Sequence, residues 1–568
     1  MKKNIKLGIS YIVLSAILTG CGQSAATTQN EVKDTVISQS DETNIQNDAS
    51  SEQTKNTNES STEQETIGQP QKNIKTAPGL DVNMESATEI ILSDDGITVQ
   101  GEAVSSDTTQ AVYIANDIVY YEAGKDFTYG EGTAADEHTK EEADLHTVVH
   151  ITKPGTYTVS GKLSNGQIAI DLGEDAKKDP DSVVNLVLNG ADISCSVAPA
   201  VIFYNVYECG SKDEDNATST VDTTNAGANV VIADGTINNI EGSYVARIYE
   251  SYELSEDGTE VVDSEKLHKY DAAFYSKRSM NIYGGEEGTG VLNIVAENEG
   301  LDSELHLTIN GGNVNIISGN DGINTNEDGI SVTTINGGNL KIIVDGSTGE
   351  GDGIDSNGWL VINGGNVAAE ACKSSGDAGI DSDMGIHING GSVAATGNML
   401  DHISDSEQNY VVMNFSQKQS GQNTYCIKND NGDIVAECNP VNDFTYLIFS
   451  DDALTEGTYT AWMGETQLAA AAGDAMPAFG MGGGMEKPDG EKFDREMPTD
   501  MERPEMPNGE MPTDIERPEM PNGEMPADIE RPKGNRGERG NNAAFAEVST
   551  ELVMTSQGNY FNNVGIAE

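Results

Sequence analysis

Four copies of one tetrapeptide constrain this chain more than any other feature. Ile309-Asn-Gly-Gly312, Ile335-Asn-Gly-Gly338, Ile362-Asn-Gly-Gly365 and Ile388-Asn-Gly-Gly391 recur at intervals of 26, 27 and 26 residues, and Ile282-Tyr-Gly-Gly285 stands 27 before the first. A short alternating segment precedes each corner, as in Leu305-His-Leu-Thr-Ile309 or Trp359-Leu-Val-Ile362, and another follows, as in Leu340-Lys-Ile-Ile-Val344. Weaker copies lie upstream around Leu188-Asn-Gly190 and Ile232-Ala-Asp-Gly235. One such unit cannot bury its apolar face alone, so the units must stack. No helix fits between the turns and the LxxLxLxxN pattern is absent, which excludes a leucine-rich repeat. A propeller blade needs about 40 residues or more. The pattern predicts an all-β right-handed parallel β-helix with rungs of about 26 residues and capping strands. Ile should stack on Ile inside, and Asn on Asn at the corner, each amide bonding to the next rung. Ten or so rungs at about 4.8 Å each give a rod on the order of 45 Å long.

A second motif repeats in phase with the first. It reads Glu299-Gly-Leu-Asp302, Asp352-Gly-Ile-Asp355 and Asp377-Ala-Gly-Ile-Asp381-Ser-Asp383, with a looser copy from Asp321-Gly-Ile-Asn324 to Ile330. Leu301, Ile354 and Ile380 each precede a corner Ile by eight residues. Asp302, Asp355 and Asp381 are therefore expected in one column, with Asp352 and Asp377 beside it. Carboxylates one strand apart repel unless something neutralises them, and Ca²⁺ takes six to eight hard oxygens. The expected metal ligands are Asp302, Asp321, Asn324, Asp352, Asp355, Asp377, Asp381 and Asp383, holding Ca²⁺. The plainer reading is a solvent-facing acidic column whose charges are screened by water.

Charge narrows the partners. The chain of 568 residues carries 94 acidic side chains against 32 Lys plus Arg, a net −62. That field repels phosphate backbones, so nucleic acid is excluded as a partner. Lys2, Lys3 and Lys6 precede an apolar run ending in Leu18-Thr19-Gly20-Cys21, which reads as a lipoprotein signal over 1–20 with Cys21 taking the lipid. The chain is then expected outside the cytoplasm, held to the bacterial membrane at the cell surface. Residues 21–79, rich in Ser, Thr, Asn and Glu, read as a disordered stalk. The β-helix body with its N-terminal cap is placed at 80–479. A Met/Pro/Glu-rich insert built on a 14-residue repeat occupies 480–542, and strands over 543–568 return to the body. Five cysteines remain after Cys21, too few for a disulfide scaffold, although 195/209 and 426/438 are spaced to bridge.

Catalytic signals are sparse. A ladder of many acids singles out no pair for glycoside hydrolysis, and no nucleophile elbow, zincin helix or P-loop occurs. A Ca²⁺-dependent lyase wants a strong base, for which Arg278 is the candidate. Binding is the stronger expectation: a polysaccharide laid on the rod, with Trp359, Tyr275 and Tyr283 as aromatic contacts. A surface adhesin or scaffold for a protein partner is the third reading.

Thr156-Tyr-Thr-Val-Ser-Gly161, Val184-Asn-Leu-Val-Leu-Asn-Gly190-Ala191 and Asp271-Ala-Ala-Phe-Tyr-Ser276-Lys277, with the corner repeats, resemble a bacterial family of carbohydrate-binding domain-containing proteins. The resemblance spans Ile90 to Tyr459 and resumes over Ser549 to Val564. It implies a secreted or lipid-anchored pectate-lyase-like right-handed β-helix, associated with Ca²⁺ and with cellulose or acidic plant polysaccharide, and non-catalytic. It supplies no ligand residues, and the Met/Pro-rich insert departs from it.

Overall fold

The computed structural model describes residue 80 and residues 82–473, 547–555 and 557–567. The signal segment, Cys21, the stalk and the insert at 480–542 lie outside the described residues. Among these, the only α-helix is the single turn Lys140–Ala143, and no helix is long and apolar enough to cross a membrane. The domain is all-β and strand-rich.

Period becomes register. Met280–Gly284, His306–Ile309, Val332–Ile335, Trp359–Ile362 and Gly385–Ile388 pair in parallel, each with the strand one repeat on. In this first stack Ile282, Ile309, Ile335, Ile362 and Ile388 face one another in order, each at most 1% exposed. Full burial of such a side chain stabilises by roughly 1.5–3 kcal/mol. The second stack runs in parallel from Ile237–Gly242 through Val291–Ala296, Asn313–Ser318, Asn339–Val344 and Asn366–Glu370 to Ser392–Gly397. The third holds Thr147–Ile151, Gly166–Asp171, Val201–Asn205, Ala272–Ser276, Glu299–Ser303 and Ile323–Thr325, again parallel. Side chains from all three stacks meet in one continuous apolar core.

The corners behave as the repeat predicts. Asn336 Nδ2 donates to Asn310 Oδ1 at 2.9 Å, Asn363 to Asn336 at 3.0 Å and Asn389 to Asn363 at 3.0 Å. A second amide ladder starts three residues later, with Asn339 donating to Asn313 at 2.7 Å and Asn366 to Asn339 at 2.6 Å. The last glycine of the corner is required twice over. Gly338, Gly365 and Gly391 hold φ of 86°, 83° and 87°, and a Cβ there would meet the preceding rung's glycine oxygen at 2.5, 2.8 and 2.6 Å.

Three segments stand outside the period. Val245–Leu254 and Val261–Tyr270 form an antiparallel hairpin of their own. The connection from Val206 to Gly227 crosses the outer face of the first stack, where Thr223 Oγ1 bonds Asn281 Oδ1 and Thr308 Oγ1, both at 2.7 Å. The C-terminal strands are antiparallel and carry a separate core of Phe415, Tyr425, Phe444, Phe449 and Phe561 among others. Gly558–Ile566 joins them, parallel to Tyr410–Gln419 and antiparallel to Thr466–Gly473.

Neither cysteine pair bridges; all five thiols are free. Tyr425 pairs with Cys438 and Cys426 with Glu437, so the two thiols point to opposite faces of one sheet. Cys195 is sealed in the core and Cys209 is only half-buried.

Candidate cation site on the third stack

Four consecutive turns present the acidic motif at equivalent backbone positions. The amides of Gly300, Gly322 and Gly353 donate to the carbonyls of Asp321, Asp352 and Ala378. Glu299, Asp321, Asp352 and Ala378 therefore form one column. Asp302 pairs with Asn324, and the ladder continues through Asp355 to Asp381, forming the second. The intervening glycines are packing requirements: a Cβ on Gly322 would lie 2.1 Å from Ile342 and one on Gly353 2.3 Å from the Gly379 oxygen.

Asp377 falls one residue ahead of the first column, because its copy of the motif holds an extra Ala. Its carboxylate instead accepts the Gly351 amide at 2.6 Å and the Ser375 hydroxyl. Asp383 is exposed. Asp321 and Asp352 also do structural work, accepting the amides of Asp352 at 2.7 Å and Ala378 at 2.5 Å. Asp401 extends the acidic run, accepting the Ser382 amide at 3.1 Å and raising the carboxyl of Asp381. Burial comes first and neighbouring carboxylates second in lifting Asp321 and Asp355 to about 7, Asp381 to about 8 and Asp352 to about 10.

The tightest convergence lies at the other end. One oxygen each of Asp271, Glu299 and Asp302 lie within 4.8 Å of one another, the residues being 7%, 5% and 0% exposed. Burial holds all three carboxyls above their ordinary range. Asp271 and Asp302 add repulsion at Glu299, Asp271 and Glu304 add it at Asp302, and Glu304 adds it at Asp271, where Lys269 opposes the rise. Lys269 Nζ, 2.7 Å from Asp271, supplies one positive charge against three carboxyls. Asn326 Nδ2 donates to both oxygens of Asp302 at 3.0 and 3.1 Å. Asn324 Nδ2 donates to Glu299 Oε1 at 3.3 Å, while Glu299 Oε2 and Asn324 Oδ1 are buried with no hydrogen-bond partner. Two orphaned acceptors beside three carboxylates are costly in a water-poor site unless a cation or protons join them. An all-oxygen donor set of this kind fits a hard divalent ion.

The shared column of Asp302 and Asn324 was legible from the motif; Asp271 and Glu299 were not among the expected ligands. Ala272 pairs with Glu299 and Tyr275 with Asp302, so Asp271 stands one residue ahead of the repeat's first acidic position. The in-phase serines, Ser276 over Ser303, are the signal that places it.

One aromatic expectation needs correction. Tyr275 is fully buried at the Asp302 position, its hydroxyl donating to Glu304, and is no ligand contact. Tyr283 is 4% exposed, its ring packed in register with Val187 and Val231. Its side chain lines a groove described below. Trp359 is half-buried on the outward face of its strand, two residues before Val361. Arg278 is half-buried, with Nη2 3.4 Å from Asn205 Oδ1 and Nε unpartnered.

A repetitive all-β domain carrying buried, undercompensated carboxylates in register defines a protein suited to holding hard cations. Residues 146–437, just over half of the chain, match the family described as carbohydrate-binding domain-containing protein, and the chain belongs to that family. No curated protein matches it. Among solved structures it is similar to one described as the polysaccharide lyase-like protein from C. thermocellum, gadolinium derivative. Identity is 19% over 53% of this chain and 90% of that one, with a TM-score of 0.27.

Proposed function

We propose that this chain is a non-catalytic, calcium-binding and polysaccharide-binding protein, built as a right-handed parallel β-helix and tethered outside the cytoplasm through lipidated Cys21. The observation that carries the binding reading is the family match over residues 146–437. The cation reading rests on Asp271, Glu299 and Asp302, with Glu299 Oε2 and Asn324 Oδ1 left unpaired beside them. These residues would hold Ca²⁺, which when bound supplies positive charge that fixes the turns and offers a seat for an anionic oxygen. Asp321, Asp352, Asp355 and Asp381 form a continuation of the same surface on which further ions are proposed.

Titrating Ca²⁺ into the metal-stripped full chain tests this. Saturable binding is expected, with release of protons, because burial favours the protonated form of carboxyls that must be ionised to hold the ion. Glu299→Gln and Asp302→Asn should each weaken it at least about tenfold, the scale of about 1.4 kcal/mol. No heat, together with an unchanged melting temperature in millimolar Ca²⁺, would sink the cation reading.

A lyase is the second reading, favoured by one observation. Burial lowers the Lys277 amine beside Arg278, which is the direction a general base requires. Unsaturated oligosaccharides released from polygalacturonate, and lost in Lys277→Met or Arg278→Ala, would replace binding with catalysis.

A further inference from the structure

The described residues enclose a groove of about 290 Å³ that shares none of the acidic turns. Resting on the carbohydrate reading above, we infer that this groove is the saccharide seat and takes a neutral, hydroxyl-rich glycan lying along the stack.

The groove has a fixed wall, a floor and a functionalised edge. Its wall is the segment from Ser219 to Thr224. Thr223 pins that segment through its two 2.7 Å hydroxyl contacts, and its carbonyl accepts Asn281 Nδ2 at 2.7 Å. The floor is Thr308, Thr334 and Val361, which stand in register on three successive strands. The edge is the amide ladder of Asn310, Asn336, Asn363 and Asn389.

Hydrogen-bond arithmetic along that edge points to hydroxyls. A carboxamide has two N–H donors and two acceptor lone pairs. Within the ladder Asn336 and Asn363 each spend one donor and one lone pair on their neighbours. Each is left with one donor and one acceptor, repeated at the strand pitch of about 4.8 Å. A pyranose chain presents vicinal hydroxyls, each both donor and acceptor, at a similar repeat. The Tyr283 hydroxyl adds another such group and has no hydrogen-bond partner among the described residues.

Charge selects the glycan class. The lining holds no Lys, Arg or His, and its one carboxylate is Asp222. Asp222 accepts the Thr224 amide at 3.0 Å and retains acceptor capacity for a sugar hydroxyl. A polyuronate or sulfated chain would meet only negative charge there, on a molecule of net −62. A neutral chain meets no such barrier.

The test is calorimetric titration of the full chain in millimolar Ca²⁺ with five hexasaccharides: cellohexaose, mannohexaose, xylohexaose, maltohexaose and hexagalacturonate. At least one neutral hexasaccharide is expected to bind, and Asn363→Ala should weaken it tenfold or more. Asn366→Ala breaks a matching 2.6 Å amide bond in the other ladder, outside the groove, and should leave affinity unchanged. Equal losses in both variants would assign the effect to folding and overturn the groove. Binding confined to hexagalacturonate and abolished by Asp302→Asn would move the seat to the acidic turns, overturning the groove but keeping the carbohydrate reading. Binding of none of the five would remove both.

Discussion

A carboxyl buried among carboxyls is a conditional charge, and its condition is readable as pH dependence. Asp321 and Asp355 rise from an ordinary 3.8 to about 7 and Asp381 to about 8, with burial as the first cause in each. The folded chain thus holds these protons more tightly than the unfolded one. Their linkage contribution favours the fold fully below about pH 4 and is lost as pH rises through 7 to 8. In EDTA the melting temperature should fall by several degrees between pH 5 and pH 9, and Asp355→Asn with Asp381→Asn should flatten that slope. Saturating Ca²⁺ should flatten it too, because the ion takes the place of the protons. A slope unchanged by either would mean that these groups are ionised without penalty. At this scale the sequence was informative where a residue shared the repeat's phase. Asp302, Asn324, Asp355 and Asp381 were placed by spacing alone. Asp271 was not, since it stands one residue off phase and its copy of the motif has Tyr275 at the position that pairs with Asp302. Tyr275 was misread because spacing gives a column but not what covers it: its ring packs against Tyr270 of the hairpin and its hydroxyl donates to Glu304.

Between strands, the repeat divides its work among three columns. Isoleucine supplies burial, asparagine ties each rung to the next, and the corner glycine lets two backbones approach. These differ in cost and can be ranked. Ile335→Ala removes a fully buried side chain enclosed by Ile309 and Ile362 and should destabilise by about 2–5 kcal/mol. Asn336→Ala removes two ladder bonds at a half-buried corner and should cost about 1–3 kcal/mol in total. Gly365→Ala combines a positive φ with a Cβ 2.8 Å from two backbone carbonyl atoms, so it should be worse than the asparagine change although it adds one methyl. Chemical denaturation of the three variants checks the order. An Asn336→Ala loss exceeding that of Ile335→Ala would mean that the amide ladder, not burial, sets stability. Corner chemistry was fully legible beforehand, since one tetrapeptide dictates it. The hairpin Val245–Tyr270 and the Val206–Gly227 crossing were not, because each is unique and packs where the periodic strands leave room.

Nearest-neighbour construction makes the whole domain a test of its own period. In the first and second stacks each interior strand of the periodic region pairs with the one a repeat before and the one a repeat after. Stability of such an array is close to a sum of unit and interface contributions, so a unit removed in phase leaves two compatible faces. Deleting residues 336–362 joins Ile335 to Asn363 and restores the corner as Ile-Asn-Gly-Gly. It brings Val332–Ile335 against Gly385–Ile388 and Asn313–Ser318 against Asn366–Glu370, faces that already match in side-chain size and amide placement. It also removes Asp352 and Asp355 while leaving Asp271, Glu299 and Asp302 untouched. This variant should fold, melt cooperatively at a lower temperature, and bind Ca²⁺ at the remaining three-carboxylate site within about threefold of the parent affinity. Deleting about half as many residues, 336–348, should prevent folding, because the core and corner columns would fall out of register. Circular dichroism melts and Ca²⁺ titration of the two deletions separate the possibilities. If the in-phase deletion unfolds as completely as the out-of-phase one, the rungs are not interchangeable. The antiparallel C-terminal strands, with their separate aromatic core, would then carry stability that the repeat does not reveal.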